Sequence, residues 1–385
     1  MRKVVIGGAG IFGATCARIL AEAGYKVEVY EKEKKVGGLL YDYLPNGADF
    51  YVHKFGPHIF NIDDEDVYNF LNRFDTYISL DIKRKVLVGG KKIPLPINLD
   101  SIRLLLTKEE YAVVVSKLLN CFDTKEVTIK ELLDTEIPEI HQLGQKIFEN
   151  VYLGYNLKMW DLEPNEVNVD VLKRMPIRLS NDDKLTKCKY QLVPNNGYTN
   201  LILSLLQHSN ISLFTETNFL ERYQIKGGKV VCDKQEIEDI VIFSGAVDEL
   251  FGFKLGELSY RAIEFREYKR NANIDSKAAV ITYPNSYKKT RSTDMQMLSG
   301  KNGGKTVIVS EYPGEYCRNG KRFGRPSYPV GKKSDEAIFN AYWEQVEQIH
   351  NLYVGGRLGE YKYYDMQATI LSAMNIAKKV IADNA

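Results

Sequence analysis

Gly8-Ala9-Gly10-Ile11-Phe12-Gly13 decides the fold, because of what stands on either side of it. The apolar run Val4-Val5-Ile6 before it reads as a strand, and the pattern from about Phe12 to Ala23 reads as a helix. Gly24-Tyr25 breaks that helix, Lys26 to Tyr30 alternates as a second strand, and acidic Glu31 ends it 23 residues past Gly8. Strand, glycine turn, helix, strand and terminal acid form a βαβ unit for the pyrophosphate of a dinucleotide. The glycines let backbone approach the phosphates, the helix N terminus presents N–H groups and a positive dipole end, and Glu31 accepts from ribose hydroxyls. A tight turn that binds nothing is the competing reading, and the complete unit argues against it. Glu31 also disfavours a 2′-phosphate. Glu31-Lys32 followed by Gly37-Gly38-Leu39 looks like an extended flavoprotein signature, which favours FAD over NAD, with a plain surface loop as the competing reading.

At 385 residues the chain exceeds one compact core, and several domains are expected. Hydrophobic residues make up 44% and charged residues 26%, and no apolar stretch approaches the roughly 18 residues needed to span a bilayer. Fifty-two basic and fifty acidic residues leave a net charge of +2, which gives no global attraction to nucleic acid or an anionic membrane. Cys16, Cys121, Cys188, Cys232 and Cys317 are scattered without metal-ligand spacing, so a reduced cytoplasm and no metal site are expected. The apolar start is too short for a signal-peptide core.

Further along, His53 to Phe60 places two histidines about the turn Phe55-Gly56-Pro57, which suits a flat ligand. A helix is predicted over Asp64 to Phe74, and a hairpin over Lys85 to Val88 and Lys91 to Ile93. Helices over Ile102 to Leu119, Ile129 to Leu133 and Ile140 to Tyr152 predict an inserted helical domain. Strands at Val230 to Cys232, Asp239 to Phe243, Ala278 to Tyr283 and Thr306 to Ser310 predict a mostly antiparallel second sheet, and a last helix is predicted over Met366 to Ala382. The fold class is therefore α/β: a Rossmann-type FAD-binding domain (1–80 with 190–255 and 345–385), a helical insertion (100–165) and an antiparallel substrate-binding sheet (81–99 with 166–189 and 256–344).

Several motifs together resemble the bacterial UDP-galactopyranose mutase family. They are the opening glycine turn; His53-Lys54-Phe55-Gly56-Pro57-His58-Ile59-Phe60; Gly154-Tyr155 with Lys158 and Trp160; and Lys173-Arg174-Met175-Pro176-Ile177-Arg178. Thr290-Arg291, Glu311-Tyr312-Pro313, Tyr328-Pro329-Val330 and the run Gly355 to Met366 complete a resemblance that covers nearly the whole chain. It implies a homodimeric FAD enzyme, active when the flavin is reduced, that contracts a nucleotide-activated hexopyranose to its furanose through a covalent flavin N5–sugar adduct, in the service of cell-surface polysaccharide such as O antigen. It also implies roles for individual residues. Arg174 and Arg291 neutralise the leaving diphosphate, and His58 faces the flavin. Ile59, Ser244, Arg357, Asp365 and Met366 join the glycine segments around the cofactor. Tyr155 and Trp160 stack near the base and sugar, while Glu311, Tyr328, Tyr363 and Asp365 hold the rest of the substrate.

The chain departs from the family at Asn61 and Ile62, at Met159, at Thr282 and over Asp183-Lys184-Leu185-Thr186. The reaction expected is of the UDP-galactopyranose to UDP-galactofuranose type, with dTDP-fucopyranose, which lacks the 6-hydroxyl, and UDP-N-acetylgalactosamine as alternatives; of these two, the polar groups lost near the sugar favour the deoxy sugar slightly. A flavin amine oxidase or desaturase shares the opening unit and is the alternative of another class; it needs no diphosphate clamp.

Overall fold

The computed structural model describes residues 2–164, 175–275, 277–285, 287–301 and 303–384. Two compact units emerge, one comprising 1–79, 188–262 and 316–385, the other 80–187 and 263–315.

The first unit is built on five parallel strands: β1 (Lys3–Gly7), β2 (Lys26–Tyr30), β3 (Ile211–Phe214), β4 (Ile240–Phe243) and β5 (Leu352–Val354), in the spatial order β3-β2-β1-β4-β5. Val5 pairs with Glu28 on one side and Val241 on the other. Alternation along β1 divides the core: Val4 and Ile6 join one apolar cluster, Val5 the other. The first cluster takes Cys16 and Leu20 of α1 (Ile11–Glu22), Leu201 and Leu205 of α2 (Tyr198–Leu206), and Ile370, Ala373 and Ala377 of α3 (Met366–Asp383). Strand order in such a sheet reverses between β1 and β4, and ligands settle at the carboxyl ends of the strands there.

The βαβ opening and α3 fall within a residue or two of expectation, the ordinary uncertainty of helix ends. Residues 240–243, predicted in the antiparallel sheet, instead form β4 beside β1. All four of its residues are buried, the mark of a parallel strand covered on both faces.

In the second unit the neighbouring strands are the part of Tyr260–Arg270 from residue 263 onward, Thr306–Glu315, Arg291–Asp294, Val280–Thr282, Arg84–Val88 and Lys91–Leu95. Val280–Thr282 runs parallel to Arg84–Val88, while the hairpin and the pairs on either side of Arg291–Asp294 are antiparallel. Val86 and Ile93 of the hairpin share one cluster with Ile102, Leu118, Ile129, Leu132, Ile140 and Leu143 of the helices. The helix expected over 102–119 is two, Leu99–Leu105 and Lys108–Cys121, because Thr107 and Glu110 form a capping box that starts a new helix. The strand Tyr260–Arg270 had no counterpart among the predicted elements. No helix among the described residues is long and apolar enough to cross a membrane.

Candidate active site

At the carboxyl ends of β1 and β4 lies a cleft of about 270 Å³, lined entirely by the first unit. Three glycines shape it, each for a different reason. Gly8 turns with φ +108°, and a Cβ there would stand 2.4 Å from Ser244 Oγ. A Cβ on Gly13 would fall 2.0 Å from the Gly8 carbonyl oxygen, so helix and strand approach this closely only with glycine. Gly10 differs: nothing lies nearer to its notional Cβ than the Gly37 oxygen at 4.0 Å. Its open face is the cradle a ligand backbone requires, and no side chain caps the first turn of α1 above it. The second glycine pair belongs to the same construction, since Gly37 N–H donates to the Ala9 carbonyl at 2.9 Å.

Glu31 is 7% exposed. Its Oε2 accepts from Ala9 N–H and its Oε1 from Glu33 N–H, both at 3.0 Å, which ties the glycine turn to the segment after β2. A carboxylate offers about four acceptor positions, so capacity remains for ribose hydroxyls. His58 reaches the cleft from its turn, where its N–H donates to His53 Nδ1 at 3.1 Å and its carbonyl accepts from Tyr198 Oη at 3.0 Å. Ser244 Oγ donates to the Gly7 carbonyl at 2.9 Å.

Of the residues predicted around the cofactor, Gly8, Gly10, Ile11, Phe12, Glu31, Lys32, Gly38, Leu39, His58, Ser244, Arg357 and Met366 line the cleft. Gly13, Ile59 and Asp365 do not. Gly13 is used in packing, and Asp365 Oδ1 caps α3 by accepting from Ala368 N–H at 2.8 Å. Sequence reading missed Arg325 and the segment Asn218 to Leu220, which also line the cleft. Neither carries a local pattern that would have revealed it.

The predicted substrate residues fall in both units. In the first, Tyr328 and Tyr363 stack with centroids 5.5 Å apart and planes at 16°, and the Arg357 guanidinium lies 4.8 Å from the Tyr328 ring centre. Arg357 is held there by the carbonyls of Ser327 and Tyr364. In the second, register places Arg291 opposite Glu311, and the guanidinium donates from Nε at 3.0 Å and Nη2 at 2.7 Å. Glu311 is buried, so the pair fixes a cation of known orientation. Tyr155 and Trp160 are half-buried on the helix Gly154–Trp160. That helix sits against the turn at Pro284 and Asn285, where a Cβ on Gly154 would meet Asn285 Oδ1 at 2.2 Å. Lys158 fastens the same turn, its ammonium donating to the carbonyls of Tyr283, Tyr287 and Lys289, and burial pulls its pKa down to about 8. Arg174 lies outside the described residues.

Strand order, glycine cradle and acid at the end of β2 define a Rossmann-type dinucleotide-binding protein. Residues 6–74 match the model of an NAD(P)-binding Rossmann-like domain, and residues 150–363 match that of UDP-galactopyranose mutase. Over 398 aligned residues the chain is 31% identical to a dTDP-fucopyranose mutase of Escherichia coli, covering 100% of both. It is 30% identical to a UDP-galactopyranose mutase of Mycoplasma genitalium, covering 98% of this chain and 95% of that one. The crystal structure of a reduced UDP-galactopyranose mutase superposes with a TM-score of 0.72 at 15% identity, over 99% of this chain and 96% of the other, a likeness of fold. The chain belongs to the UDP-galactopyranose mutase family, whose members are pyranose mutases. Membership decides against the amine oxidase or desaturase alternative.

Proposed function

We propose that this chain converts a nucleotide-activated hexopyranose to its furanose, with FAD held in the cleft and active when reduced. The observation that carries the reading is the open face of Gly10 at the uncapped N terminus of α1, with Glu31 on the same cleft. These residues fit a dinucleotide: backbone amides for its diphosphate, a carboxylate for ribose, and apolar Ile11, Phe12 and Leu39 for flat rings. When bound, the reduced flavin supplies nucleophilic covalent catalysis through N5 at the anomeric carbon, without net oxidation.

The chain's own residues bind, orient and neutralise. Arg291, held by Glu311, and Arg174 stabilise the departing diphosphate. Tyr328, Tyr363 and Asp365 orient the substrate, and Arg357 underlies the two rings. Tyr155 and Trp160 offer faces to base and sugar. His58 stands at the flavin. The three-domain division, a homodimer, a cytoplasmic location and a role in cell-surface polysaccharide belong to the same reading. For the sugar, the likeness to a dTDP-fucopyranose mutase supports a 6-deoxyhexose.

The test is to reduce the protein with dithionite and incubate it with dTDP-fucose, UDP-galactose and UDP-N-acetylgalactosamine, resolving furanose products by chromatography. Activity is expected in the reduced state, greatest with dTDP-fucose. Arg291→Lys keeps the charge but loses the bidentate pair; it should retain flavin while kcat falls roughly 100-fold. No furanose from any of the three sugars would sink the reading.

A further inference from the structure

Three segments distant in sequence meet at one edge of the cofactor cleft. Glu33 follows β2, Phe55 belongs to the turn that carries His58, and Arg325 precedes Tyr328. Arg325 Nη2 donates to Glu33 Oε1 at 2.6 Å, and its guanidinium carbon stands 4.5 Å from the Phe55 ring centre. Arg325 and Pro326 line the same cleft as Gly10 and Glu31. Glu33 is itself anchored, since its amide donates to Glu31, whose other oxygen holds Ala9. Contacts therefore run unbroken from the glycine turn through the ribose acid to Arg325. Only arginine among the cations offers both a planar face for Phe55 and a directed N–H for Glu33.

We propose that Arg325 is a cofactor-retaining residue, whose ion pair with Glu33 latches the loop at 325–326 to the segment after β2 and so slows departure of the bound dinucleotide. The proposal rests on the reading of this cleft as the FAD site. The side chains are 33% and 47% exposed, so the pair contributes little to the fold and is screened by salt. Its effect belongs to the step that must break it, the opening of the cleft. The sequence holds the rest of the anion-binding apparatus in backbone amides, which cannot open or close; the latch adds a part that can.

The experiment follows flavin release from the reconstituted protein by the recovery of free-flavin fluorescence. Arg325→Met and Glu33→Gln should each accelerate release roughly fivefold, and the double variant no further, because both break one pair. Raising salt to about 0.5 M should accelerate release from the unmodified protein and leave the variants nearly unchanged. The reversed pair, Glu33→Arg with Arg325→Glu, should recover most of the slow release, and thermal midpoints of the flavin-free proteins should agree. Unchanged release in both single variants overturns the latch, as does slower release from Glu33→Gln, which would mean that Arg325 grips the dinucleotide alone. An unmodified protein that retains no flavin overturns both the latch and the FAD reading; retained flavin with unaltered variants overturns the latch only.

Discussion

At the scale of single residues, the two histidines of the His53 to Phe60 turn divide their labour in a way the sequence did not reveal. Their spacing predicts a turn against a flat ligand, and His58 does line the cleft. His53 does not. It is 4% exposed, with Tyr198 edge-on at 5.2 Å, and its Nδ1 accepts the His58 amide proton. Burial pushes its pKa down to about 4 from the ordinary 6.5. The folded-state value is the depressed one, so its contribution is complete above about pH 6.5 and is lost as pH falls toward 4, where the unfolded chain takes a proton that the folded chain refuses. The loss amounts to up to about 3 kcal/mol. Denaturant midpoints measured from pH 7 to 4.5 should fall steeply in the parent protein and more gently in His53→Gln; parallel slopes would refute the assignment. Arg325 marks the opposite limit of legibility. Its partner Glu33 is 292 positions away, and no periodicity or motif encodes a pairing of that range.

At the scale of elements, what the sequence concealed was sometimes written in it under a different sign. Apolar periodicity ran Leu99–Leu105 into Lys108–Cys121, although Thr107-Lys108-Glu109-Glu110 carries the capping box that separates them. Residues 240–243 read as antiparallel because a four-residue apolar strand has no side-chain alternation to disclose its neighbours; only burial on both faces does. Asp365 shows an element and a site competing for one side chain. Resemblance assigns it to cofactor and substrate, whereas locally it is the N-cap of α3, an 18-residue helix that carries part of the core. Asp365→Ala should lower unfolding free energy by about 1 kcal/mol, and Asp365→Ser should restore it. Turnover separates the two roles. If serine rescues stability but not kcat/KM, the carboxylate acts on the substrate; if it rescues both, the cap is the whole of its role.

At the scale of the whole molecule, the first unit is assembled from three stretches of chain and the second from two, so neither boundary appears as a linker in composition. Segment order was nevertheless legible where one glycine turn fixed it: β1, β2 and α1 follow from residues 3–31, and the parallel sheet grows around them by adding β3, β4 and β5 from much later in the chain. Each unit holds its own apolar clusters, those of Val4 and Val5 in the first and that of Val86 in the second. The cleft belongs to the first alone. A ligand that binds only the folded form stabilises the body it binds by RT ln(1 + [L]/Kd), about 2.7 kcal/mol at a hundredfold excess over Kd. With FAD at that excess, amides that exchange only through unfolding of the first unit, in Val4–Gly7 and Ile240–Phe243, should slow by roughly 100-fold. Those of the helix Lys108–Cys121 and of Val86 and Ile93 sit in a cluster that lends no residue to the cofactor cleft and should slow far less. Hydrogen exchange read by mass spectrometry resolves both sets in one experiment. Equal slowing of the two would mean that the units unfold as one cooperative body, and the glycine turn would then govern the stability of residues with which it shares no core.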